Sequence, residues 1–73
     1  MELNGFPSGP EVLMRDLVAV LYDALQSQEH LALFLSDAEQ AGDQECMEFF
    51  REVLSQHSRQ AERAKELLGD KLK

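Results

Sequence analysis

Residues 47–68 read MEFFREVLSQHSRQAERAKELL, and within them Met47, Phe50, Leu54, His57, Ala61, Ala64 and Leu68 recur at alternating three- and four-residue steps. Such spacing draws one continuous stripe along an α-helix, the seam that a second helix covers. Six of the seven positions are apolar and the central one is histidine. An imidazole in a covered seam needs a hydrogen-bond partner, a metal or water, because a buried polar group left unsatisfied costs about 1–3 kcal/mol.

The same kind of pattern runs through the first half. Leu13, Leu17, Val20, Ala24, Ser27, Leu31, Phe34 and Ala38 repeat the spacing, and Val12, Val18, Leu21, Leu25 and Leu35 widen the apolar surface. From Val12 to Leu25 the helix is apolar around more than half its circumference, so two partner surfaces are expected for it. Between the two periodic stretches stand Gly42 and Asp43, a glycine to end one helix and an aspartate to cap the next. A connection this short makes the helices antiparallel neighbours. The expected organisation is an arm over residues 1–9, pinned by Leu3 and Phe6, then a helical hairpin over 10–73. Helix 1 covers about 10–40 and helix 2 about 43–69. Ser8 or Gly9 is placed to cap helix 1, with Pro10 in its first turn, and Gly69 to end helix 2.

Seventy-three residues form one small domain, which buries only about 60% of its unfolded surface and needs reinforcement. Cys46 is the only cysteine, which excludes an internal disulfide and a multi-cysteine zinc site. Self-association is the remaining route, and the expected fold class is all-α, an antiparallel two-helix hairpin dimerising into a four-helix bundle. Leu17, Val18, Leu21, Leu25, Leu31, Phe50 and Leu54 are the expected interface.

Fourteen acidic against seven basic residues give a formal charge of −7, a field that repels phosphate backbones and argues against nucleic-acid binding, including that of small RNA-binding hairpin dimers. The acids crowd the first half, where Arg15 is the sole base before Gly42, so a second protein could be met by the acidic face of helix 1. No basic region followed by an apolar run marks a signal peptide, and no stretch approaches the roughly 18–20 apolar residues of a membrane span. A cytoplasmic protein without membrane contact is expected.

Folding the chain at residue 42 puts position 57 level with position 27. Ser27, Gln28, His57 and Gln60 then form one polar layer between apolar ones, with Leu31 and Phe34 near Leu54 and Phe50 on the turn side. On the far side, Ala24, Val20 and Leu17 face Ala61, Ala64 and Leu68. An aromatic one helical stretch after a polar position, a short turn, and a polar pair at i, i+3 in the second helix resemble one half of a ferritin-like bundle of the rubrerythrin and two-helix encapsulated-ferritin type. The resemblance spans roughly residues 13–68. It implies that Ser27 stands at the position of the first helix's glutamate, and that His57 and Gln60 stand at the glutamate and histidine of Glu-x-x-His. All three ligand positions are thus substituted. Iron oxidation sites need several hard anionic oxygen ligands, so the resemblance implies the scaffold without the di-iron centre.

The chemistry-bearing residues divide accordingly. The polar layer serves to set register and orientation. The metal alternative joins His57 from two chains around a transition metal, although two imidazoles fall short of zinc's usual three or four ligands. Glu29 and His30 point about 100° apart and cannot chelate together; both are expected at the surface. Glu48 and Glu52 flank Arg51 and are expected to pair with it. Cys46, in the first turn of helix 2, sits where the helix dipole lowers a thiol's pKa, although a packed, inert cysteine is the plainer expectation. Met14 and Met47 are expected core residues. No catalytic constellation or cofactor pocket is legible. The expected function is a non-enzymatic assembly or interaction protein.

Overall fold

The computed structural model describes residues 9–73, so the expectations for Leu3, Phe6 and Ser8 lie outside the described residues. The chain forms two helices, α1 (Pro10–Ala41) and α2 (Gln44–Lys71), which pack against each other as a hairpin. No strand occurs among the described residues. No helix is long and apolar enough to cross a membrane among these residues.

Each helix end has a local cause. Gly9 is the N-cap of α1 without a side-chain hydrogen bond, and Pro10 opens the helix where its missing N–H is harmless. Gly42 ends α1 in the left-handed region (φ 69°), and its N–H and that of Asp43 return to the carbonyls of Glu39 and Ala38. Asp43 then caps α2: its Oδ1 accepts the backbone N–H of Cys46 at 3.0 Å. Gly69, expected beyond the end of α2, lies inside its last turn. The helix continues to Lys71, and the N–H of Leu72 closes it on the carbonyls of Leu68 and Gly69. Glycine only weakens a helix, and here it leaves the backbone hydrogen bonds in place.

The seam in α2 is the one read from residues 47–68: Ala61 and Ala64 are buried, and Met47, Phe50, Leu54, His57 and Leu68 are half-buried. In α1 the stripe is shifted. Its covered side is Met14, Leu17, Leu21, Ala24, Gln28, Leu31, Leu35 and Ala38, all buried or half-buried. Leu13, Val20 and Phe34, expected in the seam, are 47%, 50% and 46% exposed. The two versions share Leu17, Ala24, Leu31 and Ala38 and differ by one residue elsewhere. Both are apolar seven-residue repeats, so periodicity in α1 alone could not choose between them.

The core of the hairpin is Ala24, Leu31, Ala38, Ala61 and Ala64, with no buried polar residue among those described. Four alanines let the backbones approach closely, but they remove little apolar surface from water.

Candidate functional site

With Leu17, Ala24, Leu31 and Ala38 along the middle of the seam, α1 has two flanks. On one stand Leu13, Val20, Ser27 and Phe34 at seven-residue intervals, matched on α2 by Cys46, Val53, Gln60 and Leu67 at the same interval. Three concavities follow this flank from end to end. Phe34, Ala38, Cys46 and Phe50 line the one near the turn; Ser27, His30, Leu31, Phe34, Val53 and His57 the middle one; Leu13, Leu17, Val20 and Leu67, with Asp16 and Lys71, the far one. Together they form a shallow groove open to solvent, apolar along Leu13, Val20, Phe34, Val53 and Leu67, with Ser27, His30 and His57 in its middle and Asp16, Asp37, Asp43 and Lys71 among its lining.

The other flank differs in kind. Val18 and Leu25 of α1 are exposed there, but α2 contributes Arg51, Ser58 and Lys65, all exposed and polar. Gln28 Nε2 donates to Ser58 Oγ at 3.0 Å across the helices on this side.

The four residues expected in one polar layer are thus distributed over the two flanks. Ser27 and His57 both line the middle of the groove, and both are half-buried. His57 Nδ1 lies 3.3 Å from Gln60 Oε1, one turn along α2, and Gln60 is exposed. Gln28 turns away to Ser58, a partner that periodicity passed over because Ser58 lies beside the α2 stripe rather than on it. Ser27 and His57 are half-buried at the groove, and no enclosed polar layer forms among the described residues.

His30, expected at the surface, is exposed but also lines the groove, its ring 6.5 Å from that of Phe34 with the planes 26° apart. Phe34 in turn lies 5.9 Å from Phe50, and Phe50 5.9 Å from Phe49. The aromatic row therefore crosses from α1 to α2 toward the turn. The i, i+4 spacing of His30 and Phe34 is the sequence signal that could have found this pair.

Of the expected interface residues, Leu31 is buried in the hairpin's own core. Leu17, Leu21, Phe50 and Leu54 are half-buried, and Val18 and Leu25 stand exposed on the polar-bridged flank. Met14 and Met47 are half-buried.

Cys46 corrects the expectation of a depressed thiol pKa. Its hydrogen bond with the Asp43 side chain raises the pKa, and partial desolvation and the nearby negative charges of Asp43 and Glu45 act in the same direction. Asp43 itself is held below the ordinary carboxylate range, first by the backbone N–H of Cys46.

Arg51 does not form the expected pair with Glu48 or Glu52. Ion pairs join Arg63 to Glu66 at 2.9 Å, Lys65 to Glu62 at 3.2 Å, Arg15 to Asp16 at 3.7 Å and Lys73 to Asp70 at 3.8 Å, all well exposed. Exposed pairs of this kind are worth about 0–1 kcal/mol each. No group of three or more His, Cys, Asp or Glu side chains converges among the described residues.

Fold and groove define an all-α helical hairpin with an apolar face carried by both helices. In comparisons with known proteins, the chain matches no family model, no curated protein and no solved structure.

Proposed function

We propose that this chain is a non-enzymatic, self-assembling helical-bundle protein in which hairpins associate into a dimer of four helices or a higher assembly. The observation that carries the reading is the poverty of the hairpin's own core: four alanines and one leucine are buried, while Leu13, Val18, Val20, Leu25, Phe34 and Phe49 stay largely exposed. So small a core gives little apolar burial to set against conformational entropy, and exposed apolar side chains gathered on one flank, as Leu13, Val20 and Phe34 are, mark an interaction site. The ferritin-like scaffold is part of the proposal, with Ser27, His57 and Gln60 where metal-binding residues would stand, and so are a cytoplasmic setting and a second protein on the acidic face of α1. Sedimentation equilibrium at micromolar concentration tests the reading. A dimer or larger species supports it, and a well-folded monomer overturns it.

A second reading has its own observation, the joint presence of His30 and His57 in the groove. In it, a metal-binding or redox protein builds its site from His57 across the dimer interface, where a second chain doubles the number of imidazoles. Neutral imidazole suits zinc, copper, nickel or iron. Elemental analysis of freshly purified protein discriminates: stoichiometric transition metal that is lost in His57→Ala favours this reading over the first.

A further inference from the structure

Two stripes of α1 fit one seam. Both contain Leu17, Ala24, Leu31 and Ala38; the one that faces α2 adds Met14, Leu21, Gln28 and Leu35, and the other adds Leu13, Val20, Ser27 and Phe34. Each is apolar but for one polar residue, and that residue stands at the same level in both. Half of the positions coincide and half differ by a single step of about 100°, so the stripes point about 50° apart around the helix. The second stripe already stands at the edge of the seam. Its Phe34 ring lies 5.9 Å from that of Phe50, a seam residue of α2, and its Leu13 and Val20 share a concavity with Leu67. The open space is on this side, where three concavities run along the stripe with apolar Val53 and Leu67 among their lining.

We propose that α1 has two seated orientations on α2: the observed one, and one rolled by about 50° about its own axis, which draws Leu13, Val20 and Phe34 into the seam and closes the groove. The inference concerns a single chain and does not rest on the self-assembly reading. The exchange of apolar surface is close to even, because a leucine, a valine and a phenylalanine enter as a methionine and two leucines leave. At the polar level Ser27 replaces Gln28. Little in the core resists the turn. Ala24, Ala38, Ala61 and Ala64 bring only methyl groups to the seam, and Leu31 belongs to both stripes. A roll of about 50° shifts the α1 backbone by about 2 Å at the Cα radius. Gly42 and Asp43 alone join the helices, and Gly42 already occupies the left-handed region, where glycine is the permissive residue. The groove and the rolled orientation use the same space, so a molecule seated in the groove holds α1 as observed, and its departure releases the roll.

Fluorine NMR of the full chain carrying 4-fluorophenylalanine tests the roll, with the Phe34 resonance assigned through Phe34→Leu and its exposure read from relaxation by a soluble gadolinium chelate. Leu21→Ser removes apolar surface from the observed seam and moves the ratio of orientations about tenfold toward the rolled one. Relaxation at Phe34 then falls about twofold or more as the ring is covered. Val20→Ser acts on the other stripe and leaves relaxation at Phe34 at or above the wild-type value. Circular dichroism verifies that each variant remains helical, and Leu21→Ala or Val20→Ala replaces one that does not. A hairpin with a single orientation responds otherwise: Leu21→Ser loosens the seam and leaves Phe34 equally or more exposed, which overturns the inference. A fall at Phe34 in both variants overturns it too. So does a fall that disappears on tenfold dilution, since the cover is then a second chain and self-assembly stands without the roll.

Discussion

Gln28 Nε2 donates to Ser58 Oγ at 3.0 Å, and among the described residues this is the side-chain hydrogen bond that joins α1 to α2. Gln28 occupies a seam position of α1, yet its amide reaches out of the seam to a serine on the shoulder of α2. The apolar stem of the glutamine packs where a leucine would, and its polar end stays partly wet.

A solvent-accessible bond of this kind contributes modestly. Ser58→Ala is expected to cost about 0.5–1 kcal/mol in urea unfolding, and a double-mutant cycle with Gln28→Ala should return a coupling of similar size. A coupling near zero would show that the pair is replaced by water without loss.

Gly42 and Gly69 should respond in opposite directions to alanine. Gly42 adopts φ 69°, and although an added Cβ meets nothing within 4 Å, the backbone itself is strained for an L residue. Gly42→Ala is expected to destabilise by about 1 kcal/mol. Gly69 lies inside α2 with open space around it, so Gly69→Ala should stabilise by about 0.5–1 kcal/mol. Thermal melts at one protein concentration resolve both, since 1 kcal/mol moves Tm by roughly 4–8 °C in a domain of this size.

The junction also predicts two pH responses. Asp43 is held below its ordinary range by accepting the Cys46 N–H. Its contribution to stability is therefore complete above the unfolded carboxylate pKa and disappears as pH falls through the lower folded value. The stability difference between wild type and Asp43→Ala should be flat from pH 7 to about pH 5 and shrink below about pH 4. Cys46 is raised, so its share is present below the ordinary thiol pKa and is lost as pH rises through the folded value. Iodoacetamide should alkylate Cys46 more slowly than a free cysteine at about pH 8.5, and Asp43→Ala should speed it.

His57 tests the role of the polar pair. Its imidazole is half-buried against Gln60 rather than enclosed, so His57→Leu should keep or raise thermal stability while broadening the distribution of oligomers in sedimentation velocity. A fall in Tm of roughly 10 °C or more, well beyond 1 kcal/mol, would contradict a register role.

The hairpin itself was legible in the chain. One seam stripe in residues 47–68, a second periodic stretch before it, and Gly42-Asp43 between them require two helices folded back on each other. These are local matters: backbone conformation at a glycine, a carboxylate within reach of the N–H three residues on, and an apolar repeat that marks a covered side. What only the tertiary structure decided is which stripe of α1 is covered, because Leu13-Val20-Phe34 and Met14-Leu21-Leu35 are equally apolar and the choice depends on where α2 lies. That choice leaves the first stripe outside, moves Gln28 from His57 to Ser58, and puts His30 and His57 around one concavity. Periodicity measures how apolar a face is, whereas contact across a seam depends on a rotation of about 100° per residue, which the partner helix sets.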